Sequence, residues 1–372
     1  MQIIARMNVG GPAVIVADLM RGLDPARYNQ ELITGFCDKN EADYLETVAT
    51  DITATRIAGL GRSISPLADL RAFFSLIVKI KKEKPDVIHT HTAKAGVLGR
   101  LAAIIAGSKA LRVHTFHGHL LHGYFVGWKI TLVVAIEKFL AKHTNYLLAV
   151  GNQVRRDLLA AGIGEESQYR TFFPGLPKSP TFDKSAERAK LNLLPEKIYC
   201  TYVGRLTQIK RPDRLLDIAA LTSKSHPNLH FLIAGEGELF SNSKTRAAAE
   251  NLPITFLGWR SDIAQLFAAS DLAILTSDNE GIPLTLIQAA QAGLAIVAPS
   301  VGSIADIVLD GKTGMLTRPD SEEMAIALGK LVDSAALRTQ YGDAGRLHAD
   351  QNFSLSKSLN EHGLLYDISQ LK

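Results

Sequence analysis

Apolar, β-branched runs alternate with segments of helical period along the whole chain, a pattern that predicts α/β units on parallel sheets. In the first half, strands are predicted over Gln2–Ala5, Gln30–Phe36, Val87–His89, Arg112–Thr115 and Asn145–Ala149. Helices are predicted over Pro66–Lys84, Ala93–Ala106 and Lys129–Lys142. The run Thr171–Lys197 breaks the rhythm with Pro174, Gly175, Pro177, Pro180 and Pro195, a linker signature. Ser185–Leu191 within it has room for a short helix.

A second series follows. Its strands are Ile198–Val203, Leu229–Ala234, Ile254–Leu257, Leu272–Leu275, Ala295–Ala298 and Gly314–Leu316. Its helices include Arg211–Thr222, Ser241–Asn251, Ile263–Ala268 and Pro283–Ala292, followed by Ala325–Val332, Ala335–His348 and an amphipathic tail, Leu355–Leu371. The expected organisation is a first Rossmann-like domain over 1–172, a linker over 173–195, a second such domain over 196–350 and a C-terminal helix over 351–372. Doubly wound sheets bind ligands beyond the carboxyl ends of their strands, so two facing each other are expected to form a cleft.

The bulk numbers narrow the function classes. A chain of 372 residues with 47% hydrophobic and 21% charged residues fits a soluble protein of two domains. Its formal charge of +4 suits anionic small molecules or an anionic membrane surface, and no nucleic-acid recognition motif appears. Cys37 and Cys200 lie in separate strand-like runs and read as buried free thiols. The opening Met1–Asn8 is too short for a signal peptide, and Gly293, Pro299 and Gly302 divide the longest uncharged run, Gly281–Ala305, into helix, turn and strand. A cytoplasmic protein is expected.

Candidate chemistry lies where strands meet helices. In Ser277–Gln288 a strand feeds a polar turn, and Pro283 is expected to open a helix whose first free N–H groups, at Leu284, Thr285 and Leu286, point back at the turn. That makes an anion site or an ordinary connection. Asn8-Val9-Gly10-Gly11-Pro12-Ala13 offers two glycines for close ligand approach, or only a tight turn. Val203-Gly204-Arg205-Leu206-Thr207 carries Arg205 at a strand end, with Lys210 near a helix start. A guanidinium fork and a flexible ammonium suit a diphosphate; the other reading is solvated loop charge. Arg211 and Arg214 read as surface residues.

His117 and His119 end a strand, where an imidazole can bond a sugar hydroxyl or phosphate, while His89, His91 and His114 read more simply as satisfied core residues. No trusted metal-ligand spacing appears, and no metal is assigned. The aromatic loop 120–128 with Lys79, Lys81, Lys82 and Lys84 reads either as a seat for a lipid-linked acceptor on an anionic membrane or as a mobile lid beside a solvated helix end.

With these motifs placed, the chain resembles the retaining glycosyltransferases of family 4, which have the GT-B fold. The resemblance rests on Asn8–Ala13, Lys84–Gly96, His114–His119, Val203–Thr207 with Lys210, and Asn279-Glu280-Gly281-Ile282-Pro283-Leu284, in the family's order. It implies two facing Rossmann-like domains, with the C-terminal helix crossing back to the first, and transfer of a sugar from a nucleotide donor, UDP favoured, to a saccharide or lipid-linked acceptor with retained configuration. By resemblance Arg205 and Lys210 hold the leaving diphosphate, Glu280 holds donor-sugar hydroxyls, and His117 touches the donor sugar. Gly10, Gly11, Gly204, Gly281, Ile282, Pro283, Leu284 and Thr285 approach the phosphates or sugar, and Trp259 and Arg260 lie by the base. No metal or other cofactor is implied. The expected setting is surface polysaccharide or glycolipid synthesis in the cytoplasm, at the inner face of the cell membrane.

Two departures stand out. Where the family carries a second glutamate for the ribose diol, this chain has Gln288, which implies weaker, uncharged hydrogen bonds. Phe172–Leu176 also replaces the family's usual Pro-Asn-Gly hinge. Two other readings compete: a nucleotide-sugar epimerase on the same fold, and a non-catalytic sugar-nucleotide-binding protein.

Overall fold

A computed structural model describes residues 1–38, 41–118 and 128–371. The chain divides into two units, Met1–Gly175 with Leu355–Lys372, and Leu176–Ser354.

The first unit begins with β1 (Gln2–Ile4), α1 (Gly11–Gly22), β2 (Leu32–Thr34), a single turn α2 (Tyr44–Thr47), β3 (Thr55–Arg56) and α3 (Pro66–Glu83). It continues through β4 (Val87–His91), α4 (Ala93–Ile105), β5 (Leu111–Phe116), α5 (Trp128–Lys142), β6 (Tyr146–Ala149), α6 (Asn152–Ala160) and β7 (Tyr169–Thr171). All seven strands are parallel, in the order β3-β2-β1-β4-β5-β6-β7. Successive side chains of a strand point to opposite faces. Ile3 accordingly packs with Leu76, Ile77 and Ile80 of α3 and with Ala102 of α4, whereas Ile4 packs with Val16 of α1 and with Tyr44. Burial on both faces makes these strands read as apolar runs.

The second unit holds α7 (Lys184–Lys190), β8 (Ile198–Val203), α8 (Pro212–Ser223), β9 (Leu229–Ala234), α9 (Phe240–Ala249), β10 (Ile254–Gly258), α10 (Ile263–Ala269) and β11 (Leu272–Ile274). Then come α11 (Leu284–Gln291), β12 (Ala295–Pro299), β13 (Gly314–Thr317), α12 (Ser321–Asp333) and α13 (Ala335–Asn352). Its six parallel strands run β10-β9-β8-β11-β12-β13. The helix α7 is tied to this sheet by Arg188, which donates to the Ala269 carbonyl at 2.9 Å and pairs with Asp271. The last helix, α14 (Leu355–Asp367), belongs to the first unit, where Leu365 joins Leu111, Val113 and Leu148 in one cluster.

The predicted strands and helices appear with shifted ends, while α2, β3, α6 and β7 escape the pattern. β3 is two half-buried residues, and β7 exposes Arg170 between its neighbours, so neither makes an apolar run. Pro283 caps α11 instead of entering it, because its ψ of 111° is extended. Cys37 is half-buried, not buried, and both cysteines are free. Among the described residues, no helix is long and apolar enough to cross a membrane.

Candidate functional site

In the second unit the connections run from β8 outward to β9 and β10, then back past β8 to β11. The carboxyl ends of β8 and β11 therefore flank the topological switch point, where loops part and leave room for a ligand. The loop after β8 carries Gly204, Arg205 and Lys210; the loop after β11 carries Ser277 and Glu280. Two bonds stitch the loops together: Thr276 Oγ1 donates to the Lys210 carbonyl at 2.9 Å, and the Asp278 amide donates to the Ile209 carbonyl at 2.9 Å. Arg211, at a left-handed φ of 53°, turns the chain into α8.

These constraints bring together two charges seventy residues apart. Lys210 Nζ donates to Glu280 Oε1, and Ser277 Oγ donates to the same oxygen at 2.6 Å. Oε2 of Glu280 takes no hydrogen bond among the described residues. One carboxylate oxygen is thus fixed while the other remains an acceptor. The Arg205 side chain is exposed and makes no ion pair or hydrogen bond among the described residues. Both charges act on the buried Tyr202 phenol, whose titration burial pushes far upward, Glu280 adding to the rise and Arg205 opposing it.

Ile282 and Pro283 are buried, Gly281, Leu284 and Thr285 half-buried. The Leu284 and Thr285 amides fall in the first turn of α11, where no helical carbonyl is available to them. Gln288 lies about one turn further on, half-buried, its amide side chain unpaired among the described residues. At the end of β10, Trp259 is exposed, but Arg260 is engaged with Asp262, so its charge is already matched.

Four residues contribute in roles that the sequence reading did not assign them. Ser277 holds Glu280, as above. Arg214 is a correction: far from being a surface residue, it is buried, donating to the Thr276 carbonyl at 2.5 Å and to Asp278 at 2.7 Å, which pins the loop that carries Glu280. Gly302 has φ +54° and abuts the Glu280 carbonyl, where a Cβ would overlap it. Gly235, at φ +137°, abuts the Gly204 carbonyl in the same way. The run Ala234-Gly235-Glu236-Gly237 after a strand was the available signal for the last.

The first unit has its own switch point between β1 and β4. Gly10 precedes α1 as its N-cap and Gly11 opens it. A Cβ on Gly10 would meet nothing nearer than 3.8 Å, so the surrounding protein does not itself demand glycine there. After β4, Thr92 adopts φ 66°, a strained conformation for a β-branched residue.

His117 follows β5 and is wired inward. Gln2 Nε2 donates to the Tyr366 hydroxyl at 3.1 Å, which leaves Gln2 Oε1 to accept from His91 Nε2 at 2.9 Å. His91 Nδ1 is then an acceptor, and His117 Nε2–H donates to it at 3.0 Å. His117 Nδ1 must therefore be unprotonated, and it is buried with no partner among the described residues. On the other arm, Tyr366 donates to His89 Nδ1 at 2.5 Å, and His89 Nε2 donates to Thr115 at 2.7 Å. Burial keeps these imidazoles neutral: His89, His91 and His114 are pushed well below 6.5, His117 to about 3 and His362 to about 4. The tautomer assignment makes His117 an acceptor, which fits a hydroxyl and not a phosphate oxygen. His119 and the loop 120–127 lie outside the described residues.

Two parallel α/β units, each gathering polar chemistry at its switch point, are the GT-B architecture of the sugar-nucleotide transferases. Residues 10–172 match the glycosyl transferase 4-like domain and residues 183–348 the glycosyl transferases group 1, so the chain belongs to the family 4-like GT-B glycosyltransferases. It is 30% identical to the Escherichia coli UDP-Gal:alpha-D-GlcNAc-diphosphoundecaprenol alpha-1,3-galactosyltransferase, over 79% of this chain and 78% of that one. It is 22% identical to the capsular polysaccharide biosynthesis glycosyltransferase CapM of Staphylococcus aureus, over 84% of each. In fold it is similar to Anabaena Alr3699/HepE, solved with UDP and glucose, at a TM-score of 0.82, 20% identity and 98% coverage of both chains.

Proposed function

We propose that this glycosyltransferase moves a sugar from a UDP-sugar to a saccharide or lipid-linked saccharide acceptor, with the anomeric configuration retained and without a metal ion. Its product would feed surface polysaccharide or glycolipid synthesis at the inner face of the cell membrane. The observation that carries the reading is the Lys210–Glu280–Ser277 cluster beside the unpaired Arg205. Breaking the bond to the anomeric carbon leaves negative charge on the diphosphate. Arg205, Lys210 and the first-turn amides of α11 favour that charge more strongly as it develops than in the ground state. Glu280 Oε2 accepts from donor-sugar hydroxyls.

The E. coli relative, named for a UDP-Gal donor and a lipid diphosphate acceptor, supports the donor and acceptor classes. The test is nucleotide release by the purified protein from a panel of UDP-, GDP- and ADP-sugars with saccharide acceptors, followed by NMR of the product's anomeric centre. Release from UDP-sugars alone with retained configuration is expected. Nucleotide binding without release would overturn the reading, as would conversion of the sugar without release, the outcome an epimerase gives.

A further inference from the structure

A helix on the surface of a sheet protein normally buries one apolar stripe and shows water a polar face. α3 does the first: Ala72, Leu76, Ile77 and Ile80 are buried against the sheet. It does not do the second. Between positions 67 and 82 the exposed residues are Leu67, Leu70, Arg71, Phe74, Ser75, Val78, Lys81 and Lys82. Leu67, Phe74 and Val78 are 74%, 56% and 65% exposed, and Ile64, just before the helix, 81%. From Leu67 to Val78 the stripe runs about 16 Å along the axis.

The charges on this face all have one sign. α3 has two acids, Asp69 and Glu83, and both are matched by lysines away from the stripe: Asp69 pairs with Lys94 at 2.6 Å, and Glu83 with Lys79 at 3.2 Å. Lys79 itself turns aside to Glu31 at 2.6 Å and leaves the basic group suggested by sequence. Arg71 and Lys81 make no ion pair among the described residues, and Lys82 reaches Glu83 only at 3.9 Å.

We propose that the outer face of α3 is a membrane-docking surface that seats the protein on an anionic bilayer, with Leu67, Leu70, Phe74 and Val78 in the interfacial layer and Arg71, Lys81 and Lys82 against anionic headgroups. The proposal rests on the lipid-linked acceptor reading for its purpose, but its geometry is that of the helix alone. A second copy of the chain fits poorly, because a stripe packed on its twin brings cations together with no carboxylate between them. An anionic lipid surface supplies the missing charge, each cation there being worth roughly a fivefold gain in partitioning.

The test is cosedimentation of the full chain with vesicles of phosphatidylcholine alone and of phosphatidylcholine with an equal part of phosphatidylglycerol. Binding only to the anionic vesicles is expected. Lys81→Ala with Lys82→Ala should weaken it by about 25-fold, and Phe74→Ser with Val78→Ser by at least about tenfold. All four positions are exposed, so the variants should keep the parent melting temperature. Failure to bind anionic vesicles would overturn the proposal, as would binding that ignores both double substitutions, or a dimer by light scattering that Phe74→Ser dissociates. Vesicle binding is read without donor or acceptor. A protein that docks yet releases no nucleotide sinks the transferase reading alone; one that turns over a soluble acceptor yet never docks sinks this one alone.

Discussion

Acidification from neutrality to about pH 5 is expected to unfold the first unit while the second stays folded. The perturbation acts on His89, His91, His114, His117 and His362, which are held neutral by burial and by one another. Their folded titration points lie below the ordinary 6.5, so the folded state binds fewer protons than the unfolded chain. The stability they lend is complete above 6.5 and is lost as the pH falls toward the folded values, about 4 for His362 and about 3 for His117. At about pH 5 each such site costs about 2 kcal/mol, and five cost about 10 kcal/mol, comparable with the whole stability of a domain.

Among the described residues, the groups that face the cluster, namely Gln2, Thr90, Thr115, Tyr366, Arg100 and the Ser358 carbonyl, include no acid to stabilise an imidazolium. Asp18 on α1 works the other way: burial raises its carboxyl to about 6, so its burden is relieved as pH falls, a partial offset. Among the histidines in the described residues of the second unit, His230 alone is shifted downward, by burial and by Lys197. Hydrogen-exchange mass spectrometry at stepped pH checks this directly. Peptides over β4 and β5 should lose protection well before those over β8 and β9. Protection of β4 and β5 unchanged to about pH 5, or loss in both units together, would refute the reasoning.

Three further outcomes are expected. Lys210→Ala and Glu280→Ala should each lower kcat by about 100-fold or more, and because the paired side chains are only 22% and 10% exposed, some fall in melting temperature accompanies the loss; full turnover in either would remove it from the site. Gln288→Glu should lower the donor KM by about fivefold, the gain of a charge-assisted bond to a diol, and an unchanged KM would leave Gln288 an ordinary helix residue. Exhaustive treatment with a chelator should leave the rate of nucleotide release unaltered, and its loss with recovery on adding a divalent cation would show that the reaction uses one.

The parallel sheets were legible because strands buried on both faces read as apolar runs between helical segments. What lay beyond that pattern needed three dimensions. Lys210 and Glu280 meet because β8 and β11 are neighbours, although β9 and β10 come between them in the chain. Sequence reasoning singled out each loop by its residues, and drew Lys210 and Glu280 into one site only through resemblance. The histidines of β4 and β5 looked, one at a time, like satisfied core residues, and His89 and His91 are indeed bonded. The wiring that sets the tautomer of His117 passes through Gln2 and Tyr366, 364 positions apart, a separation across which no local pattern reaches. Arg214 misled for a related reason: a charged residue in the first turn of a helix is usually solvated, and only the folded position of the Thr276 carbonyl gives it a buried partner.

The second unit is spliced into the first, and α14 is made only after all of Leu176–Ser354 has been synthesised. On the ribosome, the second unit has every residue it needs while the first still lacks the helix that covers Leu111 and Leu148 and supplies Tyr366. The loops after β8 and β11 are thus ready before His117 has its hydrogen-bond direction imposed. A nascent chain can thus complete the second unit's sheet while the first still waits for the helix that fixes its buried histidines.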